Sequence, residues 1–156
     1  MSKIFTDQEI KAFIQERKVL PDNWDGRFKN RINQGFKEHY QDITGEDENI
    51  FRIIVRKGDF SKSNFSVILV VKIPGSKKYF PLCRYNGSNH QHTNKIEGEV
   101  ITGFHIHTAT ERYQRKKRVF GYAQSTTRYS NVNGALQCLL ADANFEEPSG
   151  LQTSLF

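Results

Sequence analysis

Residues 65–73 constrain the fold more than any other stretch of this chain. They read Phe-Ser-Val-Ile-Leu-Val-Val-Lys-Ile, so that apolar and mostly β-branched side chains occupy both alternating faces. β-Branched residues favour strands, and a strand that is apolar on both faces has to be covered on both of them. The run therefore predicts the central strand of a sheet.

Two further strands are predicted on either side of this run in the sequence. In residues 50–56, apolar side chains alternate with Arg52 and Arg56, which is typical of a strand with one wet face. Residues 79–85 form the next strand, in which Pro81 indicates an edge or a bulge. Short connections between these strands favour antiparallel pairing.

A fourth strand is predicted at residues 99–107, where the alternation resumes. Phe104 and Ile106 share one face, and His105 and His107 share the other. Because the apolar pair should face the main core, we expect the two histidines to point away from it, towards an open face available to solvent. Residues 119–123 could add one more short strand.

Helices are predicted at both ends of the chain. The spacing of Thr6 and Glu9 is that of a capping box, so a first helix should run over residues 7–18. A second, longer helix is predicted over residues 22–45 because its apolar positions step almost strictly by four; they are Trp24, Phe28, Ile32, Phe36, Tyr40 and Ile43. Ser130 should cap the last helix.

The order of these elements predicts an α+β fold. It would contain two N-terminal helices, a four- to five-stranded and mostly antiparallel sheet, and one C-terminal helix. At 156 residues the chain fits one domain, which we assign to residues 1–145. Residues 146–156 should form a flexible C-terminal tail.

The charge of the chain favours an acidic partner. Lys and Arg number 23 against 17 Asp and Glu, which gives a formal net charge of +6 and favours nucleic acid over a basic ligand. Cys83 and Cys138 are expected to be free thiols. The sequence does not open on a charged and then apolar leader, and no apolar run approaches roughly 18 residues. We therefore expect a cytoplasmic protein without a membrane partner; secretion without a leader, or injection into another cell, would fit the same pattern.

Residues 103–113 carry the densest set of reactive side chains. In a metal-free hypothesis, His105 and His107 act as acid and base on a phosphodiester, because imidazole titrates near neutrality. Arg112 would stabilise the charge of the transition state, and Tyr113 would stack on a base or donate a hydrogen bond. This is the chemistry of a metal-independent ribonuclease.

A metal site is the alternative use of the same histidines. His90 and His92, like His105 and His107, are separated by one residue, which places both imidazoles of a pair on one side of an extended strand. Zinc takes three or four such ligands. Neither a cysteine pair nor a His-Glu-x-x-His helix accompanies them, so no cofactor is predicted and zinc remains the alternative.

A nucleic-acid-binding surface is predicted from recurring Arg-Tyr pairs and from a basic run. A guanidinium beside an aromatic ring suits backbone phosphates with stacked bases, and a run of basic residues adds a salt-dependent grip on phosphates. The predicted binding residues are Arg84, Tyr85, His90, His92, Lys95, Arg115, Lys116, Lys117, Arg118 and Arg128.

Two segments resemble small proteins of bacteria and mobile elements that are grouped as a domain of unknown function. They are residues 84–87, with the sequence RYNG, and residues 103–114, with the sequence GFHIHTATERYQ. The resemblance extends from about residue 51 to residue 145 and transfers no catalytic residue. It implies a bacterial or phage setting, in which short basic proteins are often toxins, defence components or their inhibitors.

Three functional hypotheses follow from the sequence. The leading one is a basic cytosolic protein directed at nucleic acid, with RNA favoured, that binds its ligand or cleaves it as a metal-independent ribonuclease of toxin or defence type. The second is a protein-binding inhibitor or regulator, because a basic helix and an open sheet face could dock on an acidic protein. The third is a hydrolase with a histidine-ligated metal.

Overall fold

The computed structural model describes residues 3–58, 61–148 and 156. The elements follow in chain order: α1 (Asp7–Gln15), β1 (Lys18–Val19), a 3-10 turn (Trp24–Gly26), β2 (Lys29–Asn33), β3 (Phe36–Thr44), β4 (Ile50–Lys57), β5 (Phe65–Lys72), β6 (Tyr79–Asn86), β7 (His92–Asn94), β8 (Glu99–Ile101), β9 (His105–Thr108), α2 (Glu111–Arg115), β10 (Ala123–Ser125), α3 (Val132–Asp142) and β11 (Phe145–Glu146).

A seven-stranded sheet dominates the fold. Its strand order is β10-β9-β6-β5-β4-β3-β2, and every neighbouring pair is antiparallel. The prediction that residues 65–73 form the central strand is confirmed, because β5 lies fourth of the seven and is buried on both faces. A β7–β8 hairpin and a parallel β1–β11 pair complete the strands.

The main core lies on one face of this sheet. Phe51, Ile53 and Val55 of β4 are fully buried there beside Val67 and Leu69 of β5. Helices α1 and α3 contact the sheet at this face, which we call the core face. Burying each such side chain contributes roughly 1.5–3 kcal/mol. Because β4 is fully buried on this face and carries Arg52 and Arg56 on the other, the alternation of β4 fixes which face the helices cover.

The predicted fold class is wrong. Within the described residues the protein is mostly β, with one helix near the N-terminus, one in the middle and one near the C-terminus. The structure contains a seven-stranded sheet in place of two N-terminal helices and a four- to five-stranded sheet. The capping box of the first helix is confirmed, since Thr6 accepts from the Glu9 amide and Glu9 accepts from the Thr6 amide. This helix ends at Gln15, three residues earlier than predicted, and Lys18 begins β1.

The error lies in residues 22–45, which form a 3-10 turn and the β2–β3 hairpin. Apolar residues spaced by four fit a helix, but they also fall on alternate positions of a strand. Gln34 and Gly35 decide between the two, since both have positive φ, of 51° and 81°, and lie between the paired residues Asn33 and Phe36. Two consecutive positive φ values make the tight hairpin turn that suits twisted strands.

The later strands are shorter than predicted. Gly103, at a φ of 76°, divides the predicted strand 99–107 into β8 and β9. Pro81 lies opposite the register shift between Leu69 and Val70, so the bulge that it indicated is confirmed. The last helix begins one residue later than predicted, with the side chain of Asn131 capping the Gly134 amide.

Lys18 joins the ends of the two longer helices. Its fully buried ammonium lies 2.7–3.1 Å from backbone carbonyls of residues 13, 14 and 16 near the end of α1, and of residue 143 after α3. Burial lowers the pKa of Lys18 to about 8. The group thus satisfies carbonyls that helix ends otherwise leave without partners.

The predicted flexible tail begins in ordered structure. Glu146 pairs in β11, and its carboxylate accepts two hydrogen bonds from Arg17, at 2.6 and 2.7 Å. Residues 149–155 of the predicted tail lie outside the described residues, and the Phe156 ring contacts Phe28 and His39.

Two compositional expectations can be compared with the structure. Cys83 is buried, Cys138 is half-buried, and both are free thiols as predicted. Over the described part of the chain, none of the helices combines the length and the apolar character that crossing a bilayer requires.

Candidate functional site

The face of the sheet opposite the core carries a concentration of basic and aromatic side chains. On strands β2–β6 it presents six basic residues and only two carboxylates, Glu38 and Asp42. Its other chemistry-bearing members, which together define the basic sheet face, are Lys29, Arg31, Phe36, Tyr40, Arg52, Arg56, Lys72, Tyr79 and Arg84. All nine are exposed or half-buried.

Guanidinium groups and aromatic rings alternate across this face. The Tyr40 ring lies between Arg31 and Arg52, whose Cζ atoms are 4.8 and 4.7 Å from its centroid. Arg52 also lies 4.5 Å from the Tyr79 centroid, and Arg56 lies 4.4 Å from that of Phe36. Such cation–π contacts hold each guanidinium in one place.

The carboxylates Asp42 and Glu38 form ion pairs with the arginines that contact these rings. Asp42 accepts two hydrogen bonds from Arg52, at 2.7 and 3.1 Å. Glu38 is nearly fully buried and lies 2.7 Å from Arg31 Nε and 2.8 Å from Arg56 Nε. The Arg56 contact is electrostatic, since its Nε–H lacks hydrogen-bond geometry. A pair of carboxylates thus orders three guanidinium groups and leaves the face basic.

Arg84 extends the basic sheet face towards β9. Its Nε donates to Asn86 Oδ1 at 2.7 Å and to Ser66 Oγ at 3.1 Å. Burial and the neighbouring Arg56 lower the pKa of Arg84 from its ordinary value, although a guanidinium stays charged at any physiological pH. On β9, His107 is the direct cross-strand neighbour of Arg84.

Three histidines cluster where the basic sheet face meets β9 and β10. The ring centroids of His105 and His107 are 5.0 Å apart, and His92 of β7 lies 4.6 Å from His107 and 6.2 Å from His105. As predicted, the strand histidines lie on the face opposite Ile106, which packs against the core. The predicted exposure to solvent is wrong, because His105 is 1% and His107 6% exposed.

Backbone carbonyls set the protonation pattern of the histidine cluster. His105 Nδ1 lies 2.8 Å from Gly103 O, His107 Nδ1 lies 2.8 Å from Phe120 O, and His92 Nε2 lies 2.8 Å from Gly121 O. A carbonyl only accepts, so each of these nitrogens carries the proton. In the neutral rings of His105 and His107 the lone-pair nitrogen is therefore Nε2.

The pKa values of the strand histidines favour the neutral form. Burial lowers the pKa of His107 to about 3, with further lowering by His105, His92 and Arg84. The pKa of His105 is also lowered, chiefly by burial. Neutral, enclosed imidazoles with fixed tautomers do not reach a surface substrate, so the acid and base roles of His105 and His107 stay predictions.

The β7–β8 hairpin encloses the histidines and is held by residues predicted to be catalytic. The Tyr113 hydroxyl donates to Glu97 Oε1 at 2.6 Å and accepts from the Ile96 amide at 2.9 Å. Arg112 forms an ion pair with the same Glu97. Asn94 exchanges two hydrogen bonds of 2.8 Å with the backbone of Ala123 in β10. Arg112 and Tyr113 thus anchor the hairpin in this arrangement.

The other predicted binding residues are dispersed over the molecule. Tyr85 lies on the core face, where its hydroxyl donates to Asp142, and Arg128 forms a bidentate ion pair with the same carboxylate at 2.8 Å. The basic run lies exposed at and after the end of α2 and consists of Arg115, Lys116, Lys117 and Arg118. His90, in the loop before β7, and Lys95, in the β7–β8 hairpin, are also exposed. Of the predicted set, Arg84 alone belongs to the basic sheet face.

The four-histidine set proposed as an alternative metal site is only partly assembled. Ring contacts connect His92, His105 and His107, while His90 is exposed on the loop before β7. Among the described residues, the structure contains no group of three or more His, Cys, Asp or Glu side chains placed to hold a metal ion.

Sequence reasoning missed most of the basic sheet face, although part of it was visible. The alternation in residues 50–56 already assigned Arg52 and Arg56 to a wet face. Arg31 and Tyr40 were hidden because a helix was predicted there. The Gln34-Gly35 pair between two alternating segments was the feature that could have revealed them.

The fold and site define a mostly β protein with a basic, aromatic-lined sheet face and an enclosed histidine cluster. The chain belongs to a family of unknown function, DUF6978, whose sequence profile matches residues 5–144. The expected membership of an uncharacterised domain family is confirmed, and the match begins well before the expected residue 51. Neither a curated protein nor a solved structure matches the chain significantly.

Proposed function

We propose that this protein binds single-stranded nucleic acid, with RNA favoured, on the basic sheet face and acts in the cytoplasm. The alternation of guanidinium groups and rings through Arg31, Tyr40, Arg52 and Tyr79 is the observation that carries the proposal. Guanidinium groups bind phosphates, and aromatic or guanidinium planes stack bases, which together serve single strands of any sequence.

The shape of the face also supports a single-stranded ligand. Strands β2–β6 are neighbours in one sheet and carry its residues side by side, while α1 and α3 contact the sheet from the other side. An extended strand could follow the row from Arg31 to Tyr79 with its phosphates towards the arginines. Carboxylates already order these arginines, so little side-chain entropy would be lost on binding.

The proposal is for binding without cleavage. His105 and His107, which were predicted to act as acid and base, are buried, and their Nδ1–H groups donate to backbone carbonyls. The protein-binding alternative shares the same surface, because an acidic protein would meet the same arginines. Salt dependence and competition between RNA and acidic peptides separate the two.

Fluorescence anisotropy with a labelled oligouridine of about 12 nucleotides, within the site sizes of such proteins, tests the proposal. Arg52→Gln and Tyr79→Ala should each weaken binding about tenfold, since a stacked base contributes roughly 1–3 kcal/mol. Arg52→Gln should also lower the slope of log affinity against log salt by about 0.7.

Two controls make the result specific. Lys11→Gln removes an exposed charge from α1, on the core-face side, and should leave the affinity unchanged. Lys116→Gln with Lys117→Gln removes charge from the predicted basic run. If this double variant abolishes binding while Arg52→Gln does not, the interface lies at α2; if oligouridine does not bind at all, the proposed function is wrong.

A further inference from the structure

A cavity of about 340 Å³ lies at the edge of the sheet where β3 begins, β4 ends and β5 begins. Lys37, Lys57 and Lys62 line it, and the described residues of its wall include no acidic side chain. Phe65 and Val132 form its apolar side, while Ser61 and Asn64 add polar groups. A volume of this size falls within the range of small-molecule sites.

Repulsion between these lysines destabilises the fold when no ligand is bound. Lys37 and Lys57 are direct cross-strand partners on the core-face side of the sheet, and like charges opposite one another destabilise a strand pair. None of the three lysines forms an ion pair with a carboxylate within the part of the chain that the structure describes. A bound anion would relieve this repulsion.

The wall of the cavity is held by close backbone contacts. Gly58 N donates to Asn64 O at 2.9 Å, and Asn64 N donates to Ser61 O at 3.1 Å. A side chain at Gly87 would collide with the Ser63 carbonyl, which a Cβ would approach to 1.8 Å. The described residues that flank Lys57 and Lys62 are therefore tied to the start of β5 and pack against Gly87 after β6.

We propose that this cavity binds a phosphate-bearing nucleotide. The ammonium groups of Lys37, Lys57 and Lys62 contact the phosphates as compact point charges, and Phe65 with Val132 provides the apolar side for the base. The phosphate that the lysines bind could be the terminal phosphate of a free nucleoside diphosphate or the phosphate at the 5′ end of an RNA strand. This site is separate from the basic sheet face and does not depend on the function proposed for it.

Isothermal titration calorimetry with ADP, inorganic pyrophosphate, and 5′-phosphorylated and 5′-hydroxyl oligouridine tests the proposal. ADP should bind more tightly than pyrophosphate, because pyrophosphate lacks the base. A preference for 5′-phosphorylated over 5′-hydroxyl RNA, with no binding of ADP, would assign the phosphate to an RNA end. The proposal is overturned if neither ADP nor pyrophosphate binds and the 5′-phosphorylated oligouridine binds no more tightly than the 5′-hydroxyl form.

Matched variants locate the binding. The double variant Lys37→Gln/Lys57→Gln should bind the phosphate ligand at least about tenfold more weakly, because it loses two charge contacts. The same change removes a repelling pair, so the variant should fold with equal or higher thermal stability. Lys77→Gln with Lys78→Gln alters exposed lysines before β6 and should change nothing. Unchanged nucleotide affinity in the first double variant refutes the site, whereas Arg52→Gln should leave nucleotide binding intact.

Discussion

Acidification should destabilise this protein well above the pH at which carboxylates titrate. The unfolded chain protonates His107 at its ordinary pKa of 6.5, but burial lowers the pKa in the folded chain to about 3. Between these values the unfolded state binds more protons, so the free energy of unfolding falls as the pH falls. His105, whose pKa is also lowered, adds to the loss in the same direction.

The size of the effect follows from the two pKa values. Each pH unit below 6.5 costs about 1.4 kcal/mol per histidine that stays neutral in the fold. For His107 alone, a drop from pH 8 to pH 5 therefore removes about 2 kcal/mol. With a urea m-value of about 2 kcal/mol per molar for a chain of this size, the unfolding midpoint should move by about 1 M.

Urea unfolding followed by circular dichroism at pH 8, 6.5 and 5 measures this dependence. His107→Asn keeps an N–H near the Phe120 carbonyl and removes the titrating ring, so its midpoint should vary much less with pH. His90→Asn changes an exposed imidazole and should retain the wild-type dependence. Equal wild-type midpoints at pH 8 and pH 5 would contradict the conclusion that His107 is buried and neutral. A pH dependence of the midpoint that is undiminished in His107→Asn would contradict it as well.

Three substitutions test the fold through the same urea assay at pH 7.5. Gly35→Val should cost about 1–2 kcal/mol, because its φ of 81° suits glycine and not a β-branched residue; no loss would contradict the hairpin turn. Lys18→Met should cost about 2–4 kcal/mol by leaving buried carbonyls without a donor, and a stable variant would argue against that role. Glu38→Ala should cost about 2–3 kcal/mol by leaving Arg31 and Arg56 without their shared carboxylate, whereas a gain in stability would contradict the pairing.

The strands at the centre of the fold were predictable because their pattern admits one interpretation. An apolar run such as residues 65–73 fits a buried strand, and alternation in residues 50–56 fixes the faces. Residues 22–45 were not predictable in the same way, because a spacing of four satisfies both a helix and alternate positions of a strand. Only the turn at Gln34 and Gly35 separates these possibilities, and it is a local feature of two residues.

The site depends on long-range packing that local patterns do not contain. Alternation correctly assigned His105 and His107 to the face opposite Ile106. It could not show that the β7–β8 hairpin folds over them, because Asn94 and Ala123 are 29 residues apart in sequence. The contact of Tyr40 with Arg52 likewise arises only once β3 pairs with β4.

Photochemical crosslinking of oligouridine to the protein, with mass spectrometry of the attached peptides, tests the central claim most directly. Crosslinks should concentrate at Phe36, Tyr40 and Tyr79, the aromatic rings of the basic sheet face, and should be lost at high salt. Crosslinks confined to the peptides around residues 115–118, or none in any peptide, would contradict the account of the sheet face as a nucleic-acid-binding surface.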